Sequence, residues 1–150
     1  MSVNAKSLES HYDYKMDPKY RVSIPVDYRP EVEGSALRLH SHKEHDLPVI
    51  KVYTSEVFED KYRQIRESEL PQAKKNALEG ALRMNSKVVT INPQGKLSIP
   101  KDWAEKIGLK ADGPVKLGGR GHYFIICSEE TFDRIVEIEN NIDDFGLGVL

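Results

Sequence analysis

The sequence predicts an α+β fold, mainly β, built from two copies of one unit, and three observations predict it. "MDPKYRVSIPVDY" at Met16 to Tyr28 returns as "INPQGKLSIPKDW" at Ile91 to Trp103. "IKVYTSEVFED" at Ile50 to Asp60 returns as "FIICSEETFDR" at Phe124 to Arg134. Between the copies, "LPQAKKNALEGALRMNS" sets Ala77, Leu78, Ala81 and Leu82 at helical spacing behind Pro71, and proline is tolerated at a helix start. A repeat of this kind governs the architecture more strongly than any local propensity.

The first blocks align at an offset of 75: Pro18 with Pro93, Ser23-Ile24-Pro25 with Ser98-Ile99-Pro100, Asp27 with Asp102, and Tyr28 with Trp103. The second blocks align at 74, which puts one residue of slip in the loop between them. Each copy therefore reads as a strand, a turn, a strand closed by Ile-Pro, a variable stretch, an apolar strand and a helix. Pro25 and Pro100 stop their strands because proline has no ladder donor. In the second copy Ser128 is an N-cap, Glu129 and Glu130 lie in the first turn where the helix dipole favours anions, and Phe132, Ile135 and Val136 mark an apolar face. Thr54, Glu56, Phe58, Tyr62 and Ile65 repeat that plan in the first copy. The expected organisation is a first repeat over residues 10–66, a connecting helix over 67–86, a second repeat over 87–140 and an acidic C-terminal stretch over 141–150. Copies this short are near the lower limit for an independent core, so the two are expected to pack on each other.

Composition narrows the function classes. No apolar run approaches the eighteen or so residues of a membrane span, and the N-terminal residues lack the basic-then-apolar order of a secretory signal; a cytoplasmic protein is expected. The single cysteine, Cys127 in "YFIIC", excludes a disulfide framework and reads as a buried small hydrophobe. Net charge is only −2, but it is unevenly spread. Residues 31–60 sum to −4 and 127–150 to −6, whereas 1–30 sum to +1, 61–87 to +4 and 88–126 to +3. Base is thus concentrated in the middle of the chain, where a polyanion would be met.

The two turns carry the chemistry. In "NPQG" Pro93 has the fixed φ suited to the second position of a turn, Asn92 can bond its own backbone, and Gly95 accepts a left-handed conformation. In "DPKY" Asp17 and Pro18 do the same, but Tyr20 replaces the glycine, so that turn is either of another type or held by surrounding contacts. Four residues after Asp17 stands Arg21, and four after Asn92 stands Lys96. An acid or amide at that spacing across a tight hairpin orients the base toward a phosphate or a base edge. Arginine offers a planar fork to guanine or phosphate, while lysine keeps the charge and positions more than it specifies. Lys15, Lys19 and Lys87 extend the cationic surface, and Gln94 is a polar contact. Taken singly, an exposed Arg–Asp pair on a hairpin is worth under ~1 kcal/mol and is commonplace; its repetition in one chain favours function.

These residues also carry a resemblance. "YKMDPKYRVSIPVDYR", "VVTINPQGKLSIPKDW", the connecting "NALEGALRMNSKVV" and the closing "SEETFDRI" are similar to the MraZ family, bacterial transcriptional regulators of two AbrB-like (SpoVT-AbrB) repeats, over roughly residues 10–140. The family signature is an Asp-x-x-x-Arg hairpin in each repeat, commonly with Gly before the Arg and Ile-Pro or Val-Pro after it. The first hairpin keeps Asp17 and Arg21 and departs at Tyr20; the second keeps Gly95 and departs at Asn92 and Lys96. The resemblance implies swapped hairpins in a small β barrel flanked by helices, and a ring-shaped homo-oligomer bound to repeated boxes of double-stranded DNA upstream of division and cell-wall genes. It implies DNA contacts from Lys15, Asp17, Lys19, Arg21, Lys87, Asn92, Gln94 and Lys96, a nucleoid-associated location, and neither cofactor, metal, membrane nor small-molecule substrate.

Three other readings compete. An antitoxin or transition-state regulator of the same superfamily would carry one repeat and a toxin-binding tail. An oligomeric scaffold without DNA contact fits the missing second Arg. An enzyme or metal protein rests on "HSHKEHD" at His40 to Asp46, where three histidines and two acids fall within seven residues; the stretch reads as a solvated polar loop with no second ligand cluster. Tyr28 and Trp103 read as core or subunit-contact aromatics, Arg29 and Lys101 as solvated, and Lys74, Lys75 and Arg83 as a solvated helix face.

Overall fold

The computed structural model describes residues 6–150 and shows an α+β chain, mainly sheet. Its elements are β1 (His11–Lys15), β2 (Arg21–Ser23), a 3-10 turn (Val26–Tyr28), β3 (Leu37–Glu44), β4 (Leu47–Thr54), α1 (Ser55–Glu67), α2 (Gln72–Met84), β5 (Ser86–Val89), β6 (Lys96–Ser98), α3 (Lys101–Lys106), β7 (Pro114–Gly119), β8 (Phe124–Cys127) and α4 (Glu129–Asn140). No helix among the described residues is long and apolar enough to cross a membrane.

Six strands form one antiparallel sheet in the order β1-β7-β8-β4-β3-β5, while β2 and β6 pair separately as a two-stranded ribbon. Residues 10–66 and 87–140 each hold one hairpin, β3–β4 and β7–β8, but the outer strands pair across the halves, β1 with β7 and β5 with β3. The registers are mutually symmetric. At the centre Lys51 faces Ile125, with Ile50 on Ile126 and Val52 on Phe124; in the ribbon Val22 faces Leu97, with Arg21 on Ser98 and Ser23 on Lys96.

The registers also correct the single slip expected between the repeat blocks. Leu39 faces Val52, and Leu117 faces Ile126, so the third strands correspond at an offset of 78. The second copy has three more residues before that strand and four fewer in the following hairpin. Two large changes nearly cancel, which is why only one residue of slip was visible. The three extra residues lie in the stretch read as variable, where α3 forms behind Pro100 and buries Ala104, and Ile107 and Leu109 just after it are buried too.

The expected β barrel is not closed. Among the described residues the sheet is open, with β1 and β5 at its edges. Pro25 and Pro100 end the ribbon after three pairs, so no backbone ladder runs from ribbon to sheet. Side chains join them instead: Val22, Ile24, Leu97 and Ile99 are buried with Met16, Tyr28, Leu39, Val52, Leu117 and Phe124 in one core. On the opposite face α1 and α4 cover the sheet through Phe58, Tyr62 and Ile135. Both N-caps form as expected, Thr54 Oγ1 accepting from the Val57 amide and Ser128 Oγ from the Thr131 amide. Val136 is exposed rather than part of the apolar face.

"HSHKEHD" is not a loop. His40 to Glu44 belong to β3, and only His45 and Asp46, both at positive φ, make the turn into β4, the two-residue geometry that matches strand twist. Its histidines diverge. His40 is buried, its ring stacked 5.1 Å from His42, whereas His45 Nε2 lies 2.7 Å from Glu139 Oε2 at the end of α4. Arg120 binds Glu139 from the other side, and the Tyr123 hydroxyl donates to Glu44 at 2.7 Å. Among the described residues no three potential ligands converge on a metal position.

Candidate nucleic-acid interface

Both hairpin turns have the same backbone. The Asp17 amide donates to the Arg21 carbonyl at 3.0 Å, and the Tyr20 amide to the Asp17 carbonyl at 3.1 Å. Likewise the Asn92 amide donates to the Lys96 carbonyl at 2.8 Å, and the Gly95 amide to the Asn92 carbonyl at 2.9 Å. Each turn is thus a three-residue loop whose last residue is left-handed: Tyr20 at φ 59 and Gly95 at φ 79. Tyr20 holds a conformation that costs a non-glycine residue about 1–3 kcal/mol. Tertiary contacts hold it there: its carbonyl accepts from the Ile99 amide at 2.9 Å, and its ring packs on the main core. The reciprocal bond runs from the Ile24 amide to the Gly95 carbonyl, also 2.9 Å. Each turn is therefore fastened to the strand end of the other hairpin.

The polar side chains complete the turns. Asp17 Oδ1 accepts from the amides of Lys19 and Arg21, both at 2.8 Å, and Asn92 Oδ1 accepts from the Lys96 amide at 2.8 Å. Asp17 Oδ2 takes the Arg21 Nε–H at 2.7 Å, and Lys96 Nζ comes within 3.5 Å of the same oxygen. Burial alone would raise the Asp17 carboxyl, but the Arg21 amide and guanidinium, the Lys19 amide and the Arg21 charge outweigh it and hold the group at about 2. Asp17 is thus an anion shared by the bases of both hairpins.

Of the residues expected at the site, the structure brings Asp17, Arg21 and Lys96 into contact and uses Asn92 to hold the second turn. Lys19 and Gln94 are exposed on the turns, and Lys15 is exposed at the end of β1, two residues before Asp17. Lys87 stands apart on the edge strand β5, five residues before Asn92, up to about 16 Å along an extended chain. Arg21 and Lys96 thus meet at Asp17, and Lys15 and Lys19 lie exposed within two residues of it in the chain. Bonding through Nε leaves the two terminal nitrogens of Arg21 for a further acceptor.

Arg29 was expected to be solvated and is instead half-buried and bonded. Its Nε donates to the Ile24 carbonyl at 2.8 Å, and its guanidinium lies where a β-carbon on Gly95 would approach to 2.4 Å. The second turn is therefore backed by an arginine from the first half of the chain. The sequence signal lies in the repeat alignment, where the pair Tyr20 and Arg29 corresponds to Gly95 and Ala104: the large turn residue goes with the small partner of the other half. Tyr28 is buried, its hydroxyl donating to the carbonyls of Glu9 and Ser10 at 2.8 and 2.7 Å, and Trp103 is packed against the same core. No protein-family model and no curated protein sequence matches the chain.

Proposed function

We propose that the chain is a non-enzymatic, sequence-specific DNA-binding regulator of the MraZ type, two AbrB-like repeats with exchanged hairpins, acting as a ring homo-oligomer on repeated DNA boxes in the bacterial cytoplasm and nucleoid. The observation that carries this reading is the ribbon itself: two basic hairpin tips fastened to each other, with Arg21 and Lys96 converging on Asp17. A two-stranded ribbon has the width to enter a major groove, and arginine is the side chain best able to read guanine there. The exchanged partnership of β1 with β7 and β5 with β3 supports tandem swapped repeats. A net charge of −2 is compatible with binding because most of the acid lies in residues 31–60 and 127–150, away from the tips, and because a ring multiplies weak contacts through effective concentration.

The test is selection of sheared genomic DNA on the purified oligomer at a stated salt concentration. Enrichment of a short repeated box is expected, with affinity falling steeply as salt rises. Arg21→Ala should weaken that binding by roughly 5- to 150-fold, the equivalent of a lost bidentate base contact of about 1–3 kcal/mol, at unchanged oligomer size. Absence of enrichment by an intact oligomer would instead favour a scaffold that does not touch DNA.

A further inference from the structure

Two apolar surfaces of this chain lie uncovered, and they differ in charge. The first is a groove of about 340 Å³ between α1 and α2, walled by Ile65, Leu70, Leu78 and Leu82, with Lys61 at its side. The helices are tied by Arg66 with Glu79 and by Lys75 Nζ donating to the Arg66 carbonyl at 2.8 Å, yet Leu70 and Leu78 remain 40% and 44% exposed. The second surface is residues 142–150, where Ile142, Phe145, Leu147, Val149 and Leu150 are exposed, Phe145 to 87%. This segment is not a bare extended strand. Asp144 accepts from the amides of Gly146 and Val149 at 3.0 and 3.1 Å, and its carbonyl takes the Leu147 amide at 3.1 Å. Five exposed apolar side chains within nine residues make this segment a candidate interaction surface.

We propose that residues 142–150 of one copy dock in the α1–α2 groove of a second copy. Charge complementarity selects this occupant. Residues 61–87, which include most of both groove walls, sum to +4, and residues 127–150 sum to −6. Among the described residues neither Lys61 nor Lys74 has a carboxylate within ion-pair distance, and Lys74 stands one helical turn before Leu78 on the same face of α2. Asp143 and Asp144 directly precede Phe145, so the segment offers acids and apolar side chains in the combination that the groove presents in reverse. Within a single chain both surfaces stay open, so the segment does not fill its own chain's groove, and a second copy is the occupant proposed. Such a head-to-tail contact joins unlike patches and propagates into a ring or an open filament. It does not depend on what the hairpins bind.

The test uses the full chain without DNA. A donor carrying photoreactive benzoylphenylalanine in place of Phe145 is co-expressed with a differently tagged acceptor, irradiated, and its cross-links mapped by mass spectrometry. Cross-links from position 145 to acceptor residues 61–82 are expected, reduced at least tenfold when the acceptor carries Leu78→Glu. Lys74→Glu, at an exposed position where folding is not at stake, should reduce them about threefold, and added salt should do the same. Cross-links confined to the donor's own chain, cross-links to another surface, no cross-links, or cross-links indifferent to both acceptor substitutions would overturn the proposal.

Discussion

At the scale of single residues, the two turns show how one backbone shape is kept by different means. Gly95 takes a left-handed φ of 79° without a side chain to object and leaves room for the Arg29 guanidinium. Gly95→Ala should destabilise the fold by about 1–2 kcal/mol, read as a lower urea midpoint at unchanged slope. His40 makes a second prediction. Burial, with His42, Lys51 and Lys61 nearby, depresses its imidazole to about 4, below the ordinary 6.5 or so of an unfolded histidine. The unfolded chain therefore binds the extra proton between those values. Stability from this group is present in full above about pH 6.5 and is lost as pH falls toward 4, by roughly 3 kcal/mol. The loss should appear in urea titrations at successive pH values, and His40→Leu should flatten it across that window.

At the scale of elements, the ribbon is held to the sheet by a few buried side chains. Val22 and Leu97 face each other at its centre and are fully buried; with only three residue pairs, its hold on the sheet is mostly apolar. Leu97→Ala should cost about 2–5 kcal/mol, and the amides of Ile24 and Ile99, bonded across to the other hairpin, should exchange with solvent faster than those of β4. The repeat made these elements readable: Ile-Pro marked both ribbon strands, Pro71 the start of α2, and Thr54 and Ser128 the two caps. Partnership was not readable from local pattern, because a strand's alternation states which face is buried but not which strand lies beside it. "HSHKEHD" misled for a related reason. Its polar composition resembles a loop, while a long hairpin that carries one charged face and a two-residue turn has the same composition. At the ribbon tips, the contacts of Asp17 with Arg21 and of Asn92 with Lys96 were legible from spacing alone. Arg29 was not, since its role appears only when the other half of the chain is folded against it.

At the scale of the whole molecule, β1 pairs with β7 and β5 with β3, so one sheet spans both halves, and the main core draws on both. The chain should therefore unfold in one calorimetric transition, with van't Hoff and calorimetric enthalpies equal; two separable transitions would show that the halves are independent. The ribbon has a further consequence. Its ends differ, with Asp17, Tyr20 and Arg21 at one and Asn92, Gly95 and Lys96 at the other. Two separate, identical chains related by a two-fold axis would present the same end twice, and a molecule laid between them would sit equally well turned round. One chain carrying both ends gives the ribbon a polarity, so whatever lies along it is received in a single orientation.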